Sequence, residues 1–427
     1  MCRKYIKILI EYGDTQKGGI YMNKQNMKEW ILAIQHLFAM FGATVLVPLL
    51  VGINPCVAIL TAGIGTLIFQ LCTKGKVPVF LGSSFAFISP IIAIYTMYGD
   101  YAYVQGGIVV VGIVYAIVAY IIGKIGSEKI MRFLPSHVVG AMIMVIGLSL
   151  LPSAVTNIQT NVMIATITLA VSLVITFLGK GFVKQLGILI AVVVGYFIAL
   201  SLGVVDTTII TNAELFYFPD LTLPKFSLEA LLIIVPVAIC TMCEHIGDIV
   251  TNGTVVGKDF VKDPGINKTM LGDGIATLVA GLLGSVPNTT YGENTSVLAI
   301  TKNYNPKILK RTAIMAIVLS FIGIFGGIIQ SVPACVIGGI SLQLYCMISW
   351  IGLKNIVDSK SYKSVKNLII IAAMLVIGLG GFTLTIGGIT FSSLAYAGIV
   401  GILLNLVLNF KDFKKKKCNC GHCDCKK

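Results

Sequence analysis

The sequence predicts an all-α polytopic membrane protein of fourteen segments, built as two inverted repeats of seven. Three observations lead there. Of the 427 residues, 56% are hydrophobic and only 12% are charged, whereas a soluble domain carries roughly 25% charged residues. Apolar runs near the roughly 20 residues that cross a hydrocarbon core recur along the whole chain. Short motifs of the first half also return in the second at one fixed offset. A soluble enzyme and a disordered chain are thereby excluded. The formal charge of +14 does not indicate nucleic acid, because the basic residues sit in short loops between apolar runs.

Taken in order, the first seven spans are expected near 30–51, 56–73, 84–98, 104–123, 134–152, 162–179 and 184–204. The second seven are expected near 230–250, 270–284, 292–300, 309–331, 334–353, 365–385 and 390–410. The segments near 84 and 292 are too short to cross alone. Orientation follows from the basic loops. With the N-terminus inside, eighteen Lys and Arg fall in inner loops and one, Lys225, in an outer loop. Both termini are therefore expected in the cytoplasm, the basic stretches facing anionic lipid. The outer loop 205–229 holds Asp206, Glu214, Asp220 and Glu229. No cleavable signal peptide is evident, since the apolar stretch before Glu11 is too short.

Gln35-His36 recurs as Glu244-His245, Gly63 and Gly65 as Gly272 and Gly274, and Val77-Pro78 as Val286-Pro287, each 209 residues later. Seven spans per repeat is odd, so the second half must insert upside down, as in inverted-repeat transporters. The third element of each half opens with Pro and a short extended run before turning helical, at 76–90 and 285–296. Non-helical backbone at membrane depth survives only where protein or a cavity satisfies it. Two short strands, paired with each other and leading into half-helices, are expected to frame a midplane site.

A charge at the bilayer centre costs about 2.5–3.5 kcal/mol even on lenient scales and so usually serves function. Of the 18 acidic residues, Glu244, Asp248 and Glu293 lie deepest in apolar segments. Glu244 and Asp248 are one helical turn apart and share a face. Glu293 opens the second half-helix, where backbone amides favour an anion. Nearby carboxylates in a low dielectric resist carrying two charges, which suits a proton-coupled carrier. Asp273 is expected near a span end as a structural or capping residue. His36 and His245 are read as core histidines, with His245 favoured for proton coupling by its position beside Glu244, and His137 as interfacial.

At this point several strings resemble one family, the nucleobase–ascorbate (nucleobase:cation symporter 2) transporters, and their uracil-carrying members most closely. They are Gln35-His36-Leu37-Phe38-Ala39-Met40-Phe41-Gly42-Ala43-Thr44, Gly82-Ser83-Ser84-Phe85-Ala86-Phe87, Glu244-His245 and Asn288-Thr289-Thr290-Tyr291-Gly292-Glu293-Asn294, within residues 30–410. The resemblance implies a core domain at 30–133 and 230–331, and a gate domain at 134–229 and 332–410. These lie between an N-terminal segment, 1–29, and a basic Cys-rich tail, 411–427. It implies that Glu244 and Glu293 accept hydrogen bonds from ring N–H groups of a base. The amides of Phe85 and Gly292 would donate to its carbonyls, and Tyr291 would line the pocket. Glu244, His245, Asp248 and Glu293 are the proton-coupling candidates. Uracil fits, because it presents two N–H donors and two C=O acceptors, and an acid at 293 favours it over xanthine or urate, whose carriers usually place Gln there. Two positions depart from the pattern. Asp248 stands where a well-known uracil carrier has His, and Ser296 where the family places Gly.

The function expected is proton-coupled import of uracil across a bacterial cytoplasmic membrane, with no enzymatic activity and no cofactor beyond the coupling proton. The alternatives are a xanthine, purine or other nucleobase symporter of the same family and an uncoupled nucleobase facilitator. Relatives suggest a homodimer through the gate domains. In the tail, Cys418, Cys420, His422, Cys423 and Cys425 have the softness to bind Zn²⁺ or Cu⁺, at a spacing tighter than usual structural sites. Residues 1–21 lie outside the resemblance, and initiation at Met22 is an open alternative.

Overall fold

The computed structural model describes residues 24–126, 134–219, 222–382, 384–386 and 389–409. The tail candidates Cys418, Cys420, His422, Cys423 and Cys425, and Met22, lie outside the described residues. Helices α1 (Lys24–Val51) and α2 (Pro55–Cys72) lead to strand β1 (Leu81–Ser83), then α3 (Ile88–Tyr98) and α4 (Tyr101–Ile125). Next come α5 (Ser136–Ser149), α6 (Leu151–Gln159), α7 (Val162–Leu178) and α8 (Gly187–Ser201). The second half runs α9 (Leu228–Ile234), α10 (Ala238–Val256), α11 (Ile266–Leu282), β2 (Asn288–Thr290) and α12 (Gly292–Thr301). It closes with α13 (Pro306–Ser320), α14 (Gly323–Gln330), α15 (Ala334–Asp358), α16 (Val365–Leu379), β3 (Leu384–Ile386), β4 (Ile389–Phe391) and α17 (Ser393–Leu408).

Among the described residues, six helices are long and apolar enough to cross a membrane, and five further apolar helices are shorter. The chain is thus a mostly helical polytopic membrane protein. The two expected strands pair antiparallel, Leu81 with Thr290, Gly82 with Thr289 and Ser83 with Asn288. Pro78 and Pro287 precede them, and the pairing gives this non-helical backbone the hydrogen bonds that lipid cannot supply. Ser84 N–H donates to the Pro287 carbonyl at 2.9 Å and Tyr291 N–H to the Phe80 carbonyl at 3.0 Å, extending the ladder at both ends.

Two expectations are corrected. The span drawn at 309–331 is two helices, because the chain breaks at Phe321-Ile322. There residues 215–217, from the loop before α9, dock against the break. Ile322 bridges Phe216, Tyr217 N–H donates to the Phe321 carbonyl at 2.9 Å, and Gly323 N–H donates to the Leu215 carbonyl at 3.0 Å. The freed helical groups are satisfied from a segment about a hundred residues away. The span drawn at 365–385 ends at Leu379, and a second antiparallel pair, β3 with β4, follows before α17. His137, in the first turn of α5, is buried and lies 3.1 Å from Asn405 Oδ1 of α17.

Close helix packing uses glycine, since small residues let backbones approach without a hydrophobic drive between helices. A Cβ on Gly112 of α4 would meet the Leu278 amide at 2.6 Å, and one on Gly274 of α11 would press on Tyr115. This seam places α11 against α4, and the largest buried apolar cluster among the described residues runs from α1 to α17, with two small ones beside it.

Outside the spans, residues 222–226 strap over α4. Lys225 N–H donates to the Ala102 carbonyl at 2.9 Å, Thr222 Oγ1 to Gln105 Oε1 at 2.8 Å, and Lys225 Nζ to Asp100 Oδ2 at 2.8 Å. The Lys225 ammonium holds the Asp100 carboxyl below the usual carboxylate range. A lowered folded-state pKa contributes above the unfolded value, and that contribution is lost as pH falls through the folded one. Backbone hydrogen exchange in 222–227 is therefore expected to be faster in Asp100→Asn than in the native chain near neutral pH. The difference should begin to shrink below about pH 4 and vanish once the pH has fallen through the lower, folded-state value; equal exchange at neutral pH would show that the pair does not hold the strap.

Candidate functional site

Two short helices open beside the paired strands. After β1 the chain makes one 3₁₀ turn, Phe85–Phe87, before α3, and after β2 it enters α12 directly at Gly292. Glu293 lies in the first turn of α12, where unpaired amides favour its carboxylate. Phe85 is buried, and its ring meets Tyr345 of α15 edge-on at 6.1 Å between centroids. A Cβ built on Gly292 would meet only Ile351, at 3.8 Å, so room is left beside this residue.

Helix α10 faces this junction with Glu244 and Asp248. Thr290 Oγ1 donates to Asp248 Oδ2 at 2.8 Å, tying the acid to β2. Glu244 Oε2 is buried without a hydrogen-bond partner among the described residues. It lies within Coulombic reach of Asp248, Asp273 and Glu293. A buried carboxylate oxygen without a donor is costly unless something supplies one. Here it stands as a ready acceptor for a ligand N–H.

The surrounding bonds hold these groups in place. Tyr291 OH donates to the Ser83 carbonyl at 3.0 Å, and Ser83 Oγ to the Thr44 carbonyl of α1 at 2.9 Å. Asn252 Nδ2 donates to the Pro78 carbonyl at 3.0 Å and to Thr295 Oγ1 at 3.1 Å, bridging both broken segments from α10. Asn294 Nδ2 reaches His36 Nδ1 and the His36 carbonyl, each at 3.1 Å, so His36 braces α12 rather than facing the acids.

Two cavities approach the junction. One of about 780 Å³ is lined by Phe85, Ala86, Ser89, Ser149 and Leu394. Another of about 170 Å³ is lined by Glu293, Ser296, Thr176 and Gln343. Phe85 and Glu293 therefore border different cavities, and Glu244, Asp248 and Tyr291 line neither of the two. Phe85, Asp248, Tyr291, Gly292 and Glu293 thus lie at or next to the paired strands without sharing one open pocket, whereas His245 faces α11, beside Thr269 and Asp273.

Asp273 needs correction as well. It does not cap a helix end: α11 starts at Ile266, four residues before the expected span, so Asp273 sits fully buried within it. Its Oδ2 lies 3.1 Å from His245 Nδ1. An acid flanked by Gly272 and Gly274 in a repeated motif is the signal that sequence offers for it. Tyr345 and Asn252 escape sequence reasoning, because nothing local distinguishes them from packing residues, and the Thr290 bond to Asp248 is invisible in the motif that contains it.

A profile described as the Permease family (Xan_ur_permease) matches residues 27–387. The chain is 42% identical over 404 residues to the uracil permease of Bacillus caldolyticus, covering 90% of this chain and 93% of that protein. It is 41% identical over 388 residues to the uracil permease of Escherichia coli K12, covering 88% and 90%. Among solved structures, the transmembrane domain of the cyanobacterial bicarbonate transporter BicA matches with a TM-score of 0.65 at 15% identity, covering 90% of this chain and 98% of that one. At that identity the likeness is one of fold.

Proposed function

Since the chain belongs to the Xan_ur_permease family, the nucleobase:cation symporter 2 permeases, we propose that it imports uracil in symport with protons. The observation that carries the reading is the unpartnered buried oxygen of Glu244 within reach of Glu293, at the junction where the strands pair and α12 begins. Glu244 and Glu293 accept the two ring N–H groups. The amides of Phe85 and Gly292 donate to the carbonyls, and Tyr291 fixes the start of α12. A site that pairs every polar edge of a base rejects analogues lacking one, because a buried group is then left unpaired.

The proposed architecture is fourteen segments in two inverted repeats, with both termini in the cytoplasm of a bacterial cell. The core comprises 30–133 and 230–331, and the gate 134–229 and 332–410. Import alternates access by moving core against gate, and this fits site residues that border separate cavities. Two copies associate through their gates.

Radiolabelled uracil uptake in cells lacking their own carrier tests the proposal, with and without a protonophore. Accumulation that the protonophore abolishes is expected. Uptake insensitive to it would mean a facilitator, and uptake of xanthine but not uracil would move the substrate to the purines.

A further inference from the structure

The cavity of about 170 Å³ is bordered by α1 and α12 of the proposed core and by α7, α8 and α15 of the proposed gate. Glu293 and Ser296 of α12, three residues apart, present one helical face to it. Gln343 of α15 borders it from the gate and is only 4% exposed. Its Nε2 donates to Thr176 Oγ1 of α7 at 2.8 Å and has Met347 Sδ at 3.9 Å, which fixes the direction of the amide. Its Oε1 is buried without a hydrogen-bond partner among the described residues. Thr176 is itself held, since a Cβ on Gly187 of α8 would fall 2.7 Å from its hydroxyl oxygen.

An amide that only braced α15 on α7 would need its donor alone. The oxygen left over costs free energy in a low dielectric, and an apolar side chain would fill the same space without that cost. Ser296 Oγ donates to the Gly292 carbonyl at 3.2 Å, so its lone pairs are what it offers a ligand. The polar lining therefore holds acceptors, the Glu293 carboxylate, the Ser296 hydroxyl and the Gln343 carbonyl, set in a mostly apolar wall. Such a lining takes a flat ring that brings N–H donors. Lys184, exposed at the border, suits the carbonyl edge of the same ring.

Glu293 borders this cavity and Glu244 does not, so a base can keep Glu293 while it leaves Glu244. We propose that the cavity is a second station for a pyrimidine base on its way out of the site. There one ring N–H stays on Glu293 and the other passes from Glu244 to Gln343 Oε1. In the proposed orientation α12 runs towards the cytoplasm, which makes this the release side. An N–H withdrawn from Glu244 with no new acceptor would be left unpaired in a low dielectric, and that penalty would slow release. Gln343 supplies the acceptor from the gate, so the base changes from core to gate without losing a hydrogen bond. The station rests on the proposed import of uracil.

The test sets Gln343→Met beside the native full-length chain. It measures uptake of labelled uracil by cells lacking their own carrier, and equilibrium binding of labelled uracil to the purified protein. Gln343→Met is expected to lower the maximal uptake rate by about 5-fold or more, the effect of one unpaired buried group. The dissociation constant should change by less than about 3-fold, because Glu244 and Glu293 set it. Thr176→Val, which frees the amide from its anchor, should slow uptake in the same way, and Thr176→Ser should restore it. That pair decides the matter where Gln343→Met fails to fold. An unchanged maximal rate in Gln343→Met and Thr176→Val, or a loss of affinity as large as the loss of rate in both, would overturn the station and leave uracil import standing. A native chain that neither binds nor takes up uracil would overturn the import, and the station with it.

Discussion

Replacing Glu293 by Gln is expected to weaken uracil binding by about 5- to 150-fold, the cost of about 1–3 kcal/mol for one unpaired buried polar group. The substitution keeps the side chain's shape, and α12 itself should survive because an amide tolerates the first turn. What it removes is the pure acceptor. A Gln amide that presents its NH₂ to a ring N–H sets donor against donor, and turning it exchanges that clash for one on its other side. Loss of the anion also removes a favourable interaction with the amides at the start of α12. Glu244→Gln is expected to lose a similar amount, and the protonophore-sensitive share of uptake as well, because Glu244 lies within reach of Asp248, Asp273 and Glu293. Binding of labelled uracil to purified protein, measured beside uptake, separates the two effects. Near-native affinity in both variants would place the base elsewhere.

A comparably large effect is expected from one methyl group at Gly82. A Cβ there would overlap the Tyr291 ring, against which the Gly82 backbone packs directly. That ring cannot simply move aside, because its hydroxyl donates to the Ser83 carbonyl and its amide to the Phe80 carbonyl, both at 3.0 Å. Overpacking of this kind costs about 1–3 kcal/mol, and the lost hydroxyl bond adds about 0.5–1.5 kcal/mol. The larger consequence is positional, since Tyr291 directly precedes Gly292 and Glu293. Gly82→Ala should therefore reach the membrane yet retain less than about a tenth of native uptake, a binding loss of at least about 1.4 kcal/mol. Tyr291→Phe, which leaves the ring and removes only the hydroxyl bond, should be milder. Native uptake in Gly82→Ala would mean that the strand pair yields more readily than its hydrogen bonds suggest.

Local chemistry explains why much of this molecule is legible in its residues alone. Hydrophobic runs must lie in lipid wherever they end up, so membrane class follows from composition. Pro78 and Pro287 interrupt two segments at one offset, and backbone that cannot be helical at that depth must pair, which β1 and β2 do. Glu293 is legible as an acid at a helix start because Pro, extended run and Gly precede it in sequence.

The remainder depends on partners far along the chain. Asp273 reads as a cap when its span is drawn from hydropathy, because polar Asn267 and Lys268 hide a helix that starts at Ile266. Its place beside His245 is set by how α11 seats against α10 and α4. The break at Phe321-Ile322 has no Pro at the break to announce it, and exists because residues 215–217 supply the missing backbone partners. The partner of His137 is set only when α17 places Asn405 against it. Solvent preference is a property each residue carries with it, and a sequence displays it directly. A hydrogen bond belongs to two residues at once, and where the chain brings them together from different helices, packing alone determines which pairs form.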